Sequence, residues 1–138
     1  MLLEVQTLGA KGLRFRRSRK GGWVSVPAVN PALLVDTCGA GDWCTAGLLN
    51  QLAAIGIPGV EQASTIELRN ALLVAQALAA WNCGFEGARG GMYETDRSKF
   101  ARDVSSLIAG DVQATALAAG HVGGLKALQG LDSACLCV

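Results

Sequence analysis

Seven consecutive residues, Asp36-Thr37-Cys38-Gly39-Ala40-Gly41-Asp42, combine the side chains and the backbone freedom that anion chemistry needs. The two glycines let the chain turn sharply and let a phosphate reach the main chain without meeting a side chain. If the turn opens a helix, its unpaired N–H groups and the positive end of the helix dipole converge on one spot, which attracts negative charge. That scheme leaves Asp42 unexplained. A carboxylate beside a bound phosphate costs repulsion unless it has a task, and taking a proton from an attacking hydroxyl is such a task.

Positioning these residues requires a strand before the turn and a helix after it. Asn30-Pro31 marks a turn, Leu33-Leu34-Val35 reads as a short apolar strand, and the glycine turn leads into a helix running to about Ile55. Gly56-Ile57-Pro58-Gly59 is expected to end that helix. Ser64 or Thr65 then caps a long alanine-rich helix to about Trp81, with Glu67 or Leu68 in its first turn. Ala71, Val74, Ala75, Leu78 and Ala79 recur at helical spacing and form its packing face against a sheet. A glycine-rich loop follows from Gly84 to Gly91, and Asp96 begins a further helix with Phe100, Val104, Leu107 and Ile108 on one face. Upstream, Leu2 to Leu8 is extended, Gly9 to Gly12 is a turn, and Leu13 to Arg16 alternates as a half-buried strand does. Trp23 to Val26 alternates again before Pro27 closes it, so the chain opens with a small strand meander.

The Asp36–Asp42 run matches D-T-x-G-A-G-D, the signature of ribokinase-like (PfkB) carbohydrate kinases, and Thr7-Leu8-Gly9-Ala10-Lys11-Gly12 resembles their upstream T-x-G-x-x-G strand and turn. The resemblance runs from about Leu3 to Ala109. It implies an α/β, ribokinase-like fold of which this chain is the C-terminal, nucleotide-binding portion, with residues 1–110 in the kinase domain and 111–138 an unassigned Ala/Gly-rich tail. It implies an ATP-dependent phosphotransferase acting on a sugar or related alcohol. By residue match Asp42 becomes the catalytic base, Gly39, Ala40 and Gly41 the anion hole, and Gly9, Gly12, Cys83 and Gly84 nucleotide contacts. The loop Cys83 to Gly90 is where relatives flank the adenine. Mg2+ is expected to accompany ATP, and Asp36 and Thr37 stand where many relatives help bind a monovalent cation such as K+. Relatives carry a small residue and then Phe after the base, whereas this chain has Trp43 and Cys44. Trp43 is expected to narrow the site or mark a subfamily. Relatives also carry a long N-terminal region that supplies most sugar contacts and a lid, and Met1 aligns past it. The alternative to a kinase is therefore a truncated or split-kinase nucleotide-binding module without catalysis of its own, prone to self-association or completed by another chain.

Composition narrows the remaining possibilities. The 138 residues suit one domain, and 51% hydrophobic against 17% charged residues argues for a packed core rather than disorder. A net charge of +1 gives no case for nucleic acid or an acidic membrane, and Arg14, Arg16, Arg17, Arg19 and Lys20 read as a solvated hairpin. The apolar run Ala71 to Trp81 is far below the roughly 20 residues a membrane span needs, and the N-terminus lacks a signal-peptide pattern, so the expectation is cytoplasmic. Five cysteines, Cys38, Cys44, Cys83, Cys135 and Cys137, lack the spacing of a zinc site or disulfide framework. No metal site is expected of His121 with the tail cysteines.

Overall fold

The computed structural model describes residues 3–119, with side chains up to Gly110. Three short strands, β1 (Glu4–Thr7), β2 (Leu13–Arg16) and β3 (Val24–Val26), form one antiparallel sheet in the order β1-β2-β3. Val5 pairs with Phe15 and Leu13 with Val26, so alternation along β2 sends Leu13 and Phe15 inward, where both are almost fully buried. Each such side chain contributes about 1.5–3 kcal/mol by leaving water.

The opposite face of the sheet is polar and paired across strands. Arg14 Nε donates to Gln6 Oε1 at 2.8 Å, Arg16 Nε to Glu4 Oε2 at 2.7 Å, and both guanidinium groups lie 4.4 Å from the centre of the Trp23 ring. The basic hairpin thus spends its charge within the fold. Arg17 does the same from the other side, donating to the carbonyls of Val60, Glu61 and Ala63. Those carbonyls end a helix and have no partner in it.

Among the described residues five α-helices follow: α1 (Ala40–Ala53), α2 (Gly56–Gln62), α3 (Thr65–Asn82), α4 (Gly90–Glu94) and α5 (Arg97–Ala119). Ser64 starts α3 with a full capping box, its hydroxyl accepting from Glu67 N–H at 3.2 Å while the Glu67 carboxylate accepts from Ser64 N–H at 2.7 Å. α3 is the spine of the molecule. One side packs with α1 and the sheet through Leu68, Leu72, Ala75 and Cys44, and the other meets α5 through Ala77, Ala80, Trp81, Val104 and Ile108. Small side chains suit a helix covered on both sides. Gly47 brings α1 in closest, because a Cβ there would stand 2.6 Å from Leu78 Cδ1.

Several expectations need correction. Leu33-Leu34-Val35 is no strand; these side chains are 65%, 63% and 53% exposed. A strand exists by pairing, and among the described residues none lies alongside. Its backbone is held instead by Val35 and Asp36 N–H groups, which donate to Cys83 O at 2.8 and 3.2 Å. Gly56 does end α1, through a left-handed φ of 64°, yet Gly56-Ile57-Pro58-Gly59 immediately opens α2. Pro58 falls in the first turn, where a missing N–H costs nothing. Likewise the Gly84–Gly91 loop ends early, because α4 begins at Gly90. α5 has the expected buried face and runs on past Gly110. None of the described helices is long and apolar enough to cross a membrane. His121, Cys135 and Cys137 lie outside the described residues.

Candidate functional site

The glycine turn is built by backbone geometry that only glycine adopts without strain. Gly39 takes φ 77° as the N-cap of α1, and a Cβ on it would lie 2.5 Å from Ala88 Cβ, so the residue is fixed both by conformation and by the loop seated on it. Asp36 braces the same turn. Its Oδ1 accepts from Cys38 N–H and its Oδ2 from Gly87 N–H, each at 2.9 Å, and these bonds hold its carboxyl below the ordinary carboxylate range. Asn82, the last residue of α3, is fully buried and donates from Nδ2 to Cys38 O at 2.8 Å. Sequence reasoning did not single out Asn82, because a lone asparagine at a helix end carries no motif.

Within the turn, Ala40 N–H donates to Thr37 O at 3.2 Å and Trp43 N–H to Gly39 O at 3.0 Å. Among the described residues no acceptor is paired with the N–H groups of Gly41 and Asp42. These two donors open from the first turn of α1, at the positive end of its dipole. The Asp42 side chain is exposed in the same turn.

Beside the turn lies a cavity of about 420 Å³, a size that accepts a small organic ligand. Ala40 and Gly41 line one side of it, Gly9 and Gly12 the other, and Cys83 and Thr37 also border it. Much of its surface is apolar, from Leu13, Val29, Leu34, Ala79 and Ala80. Gln76 is a polar group on the wall that the sequence did not flag, and its Nε2 is fixed on Pro27 O at 2.8 Å. Gly12 takes φ 87°, and a Cβ there would stand 2.3 Å from Val26 O, which is why the hairpin closes so tightly against the cavity. Gly84 departs from the group: it lines a neighbouring cavity with Trp81, Phe85, Lys99 and Asp103. The chain turns there because Gly84 N–H is held by Trp81 O and Phe85 N–H by Asn82 O, each at 3.1 Å, and Phe85 packs on Trp81 with 4.8 Å between ring centroids.

Trp43 does not border the cavity of the glycine turn. Its ring packs edge-on against Trp81, 5.4 Å between centroids, and 6.3 Å from Phe100, on the side of α5. The expectation that it narrows the site is not met, since a residue two positions after Gly41 in a helix points away from the face Gly41 presents. Burial pushes the Cys44 and Cys83 thiols upward, so neither is an activated thiolate. Among the described residues no three His, Cys, Asp or Glu side chains converge as a metal cage.

The arrangement therefore sets a helix start with two unpaired N–H donors and an exposed carboxylate next to a largely apolar cavity, which Ala40 and Gly41 line on one side and a second glycine turn on the other; Gly39 and Asp42 themselves do not line it. Residues 4–96, more than half of the chain, match the pfkB family carbohydrate kinase pattern. The chain belongs to that family. The match takes in the hairpin turn, the glycine turn, α3 and the loop beyond it, and stops just before α5 of this PfkB chain. Comparison with curated proteins and with solved structures returns no match.

Proposed function

We propose that this PfkB-family chain supplies the phosphoryl-transfer site of an ATP-dependent carbohydrate kinase acting on a hydroxyl of a sugar or related alcohol. One observation carries the reading: Gly41, whose N–H has no acceptor among the described residues, lines a cavity that Gly9 and Gly12 also wall, and the exposed Asp42 follows it directly in the first turn of α1. In this reading the purine of ATP lies between the hairpin glycines and Cys83, against the apolar wall, and its phosphates run toward α1. The turn from Gly39 to Gly41 then takes the transferred phosphoryl, with N–H groups aimed where negative charge builds up, an effect worth about 3 kcal/mol per well-placed donor. Asp42 accepts the proton of the acceptor hydroxyl as that oxygen attacks.

Mg2+, when bound with ATP, would supply charge neutralisation on the phosphate oxygens. A K+ ion beside Asp36 and Thr37 would share the Asp36 oxygens with the two backbone donors already there. Gly84, on the neighbouring cavity, is the weakest of the proposed nucleotide contacts. The protein is proposed to work in the cytoplasm on small molecules.

The predominantly apolar lining favours a second reading, a nucleotide-binding module that relies on another chain for its sugar contacts, because a polyhydroxylated sugar needs many polar partners. The exposed Leu33-Leu34-Val35 segment suits contact with such a chain or with a second copy. Calorimetric titration with an unreactive ATP analogue, Mg2+ and K+, followed by assay of phosphoryl transfer to a panel of sugars, separates the readings. Binding with turnover that Asp42→Asn abolishes, while binding persists, is the kinase outcome. Binding without turnover is the module, and a folded chain that does not bind refutes both.

A further inference from the structure

The 35–43 segment and the 82–88 segment are tied by a set of hydrogen bonds. Cys83 O accepts from Val35 and Asp36, Asp36 Oδ2 accepts from Gly87, and Asn82 Nδ2 reaches Cys38 O. The last tie comes from Trp43, whose indole Nε1 donates to Ala88 O at 2.8 Å. Ala88 is the residue that sits on Gly39, so the indole draws the loop down onto the turn at the point of closest approach. Trp43 is itself held by Trp81 and Phe100, and Phe100 stands on α5, outside the family match. A flexible side chain would not transmit position in this way; a ring packed against two others that are themselves in contact, Trp81 and Phe100 at 4.7 Å, does.

Resting on the nucleotide reading above, we infer that Trp43 is a positioning residue, which fixes the loop through Ala88 so that Cys83 and the first turn of α1 keep the spacing the nucleotide spans. It touches no reacting atom. Phenylalanine at this position keeps an aromatic ring against Trp81 and Phe100 and removes the donor to Ala88 O.

The test uses the full chain. In hydrogen exchange of the ligand-free protein, Trp43→Phe is expected to speed exchange at Gly87 and its neighbours by roughly tenfold while the buried amides of Leu72 and Ala75 keep their wild-type rates. Calorimetry with the unreactive ATP analogue and Mg2+ is expected to show affinity weakened by roughly tenfold. Phe100→Leu, which loosens the support of the ring and leaves the donor, is expected to speed exchange at the same loop amides by less than Trp43→Phe does. Unchanged loop exchange and affinity in Trp43→Phe overturn the inference, as does faster exchange spread evenly through α1 and α3, which marks a packing role alone. If wild type itself does not bind the analogue, the nucleotide reading fails and the positioning role goes with it. That outcome is distinguishable, because only then is wild type silent. Should Trp43→Phe not fold, a benzothiophene analogue of tryptophan placed at position 43 keeps the ring shape and lacks the N–H, and the same two measurements decide.

Discussion

Gly41→Val separates the fold from the site. A Cβ at Gly41 meets no atom within 4 Å, so a branch point there has open space around it. In a helix interior valine is slightly better tolerated than glycine, and stability is expected to stay within about 0.5 kcal/mol of wild type. The effect on binding is different in kind. Gly41 lines the cavity of about 420 Å³, and its N–H and that of Asp42 have no acceptor among the described residues. A branched side chain there keeps a phosphate from closing on both. Charge-assisted hydrogen bonds contribute about 1.5–3 kcal/mol each, so losing two at the lower limit removes about 3 kcal/mol, or roughly 100-fold in affinity. Thermal unfolding and calorimetric titration with an unreactive ATP analogue and Mg2+ measure the two quantities on one preparation. A variant that melts with wild type and binds the analogue as tightly would refute the assignment of these amides to phosphate. A variant that loses both stability and binding would refute the claim that Gly41 is free of structural duty.

Other perturbations test the scaffold. Gly12→Ala places a Cβ 2.3 Å from Val26 O at φ 87°, and it should cost about 2 kcal/mol or more, read as a lower midpoint in urea unfolding. Ser64→Ala removes the capping box of α3 and should cost about 1 kcal/mol, whereas Ser64→Asp should retain most of it. The Asp36 carboxyl is lowered in the fold by the N–H groups of Cys38 and Gly87. A lowered folded-state value means its contribution is complete above the unfolded carboxylate range and is lost as pH falls through the folded value. The Gly87 amide should therefore lose protection in acid, tracked by amide NMR, and Asp36→Asn should abolish that particular pH dependence.

How far the sequence reached depends on whether a residue acts through its neighbours in the chain or through distant ones. The glycine turn and its helix were legible because Gly39, Gly41 and Asp42 act within four residues, and local backbone geometry follows local sequence. The capping box of Ser64 and Glu67 and the buried stripe of α5 were legible for the same reason. The strand assigned to Leu33-Leu34-Val35 failed because apolar content permits a strand while a neighbour decides it. α2 was hidden because Pro58 signals a break in one register and a helix start in the next.

The sequence alone determined the family signature, the order of most elements and the residues able to bind an anion, since each depends on residue type and short spacing. Tertiary structure alone decided that Gly9 and Gly12 share a cavity with Ala40 and Gly41, that Gly84 faces a different one, and that Trp43 turns toward α5. It also decided that Asn82 and Asp36 brace the turn. Those facts join residues more than 25 positions apart, or depend on which way a helix face is packed, and no local pattern encodes either.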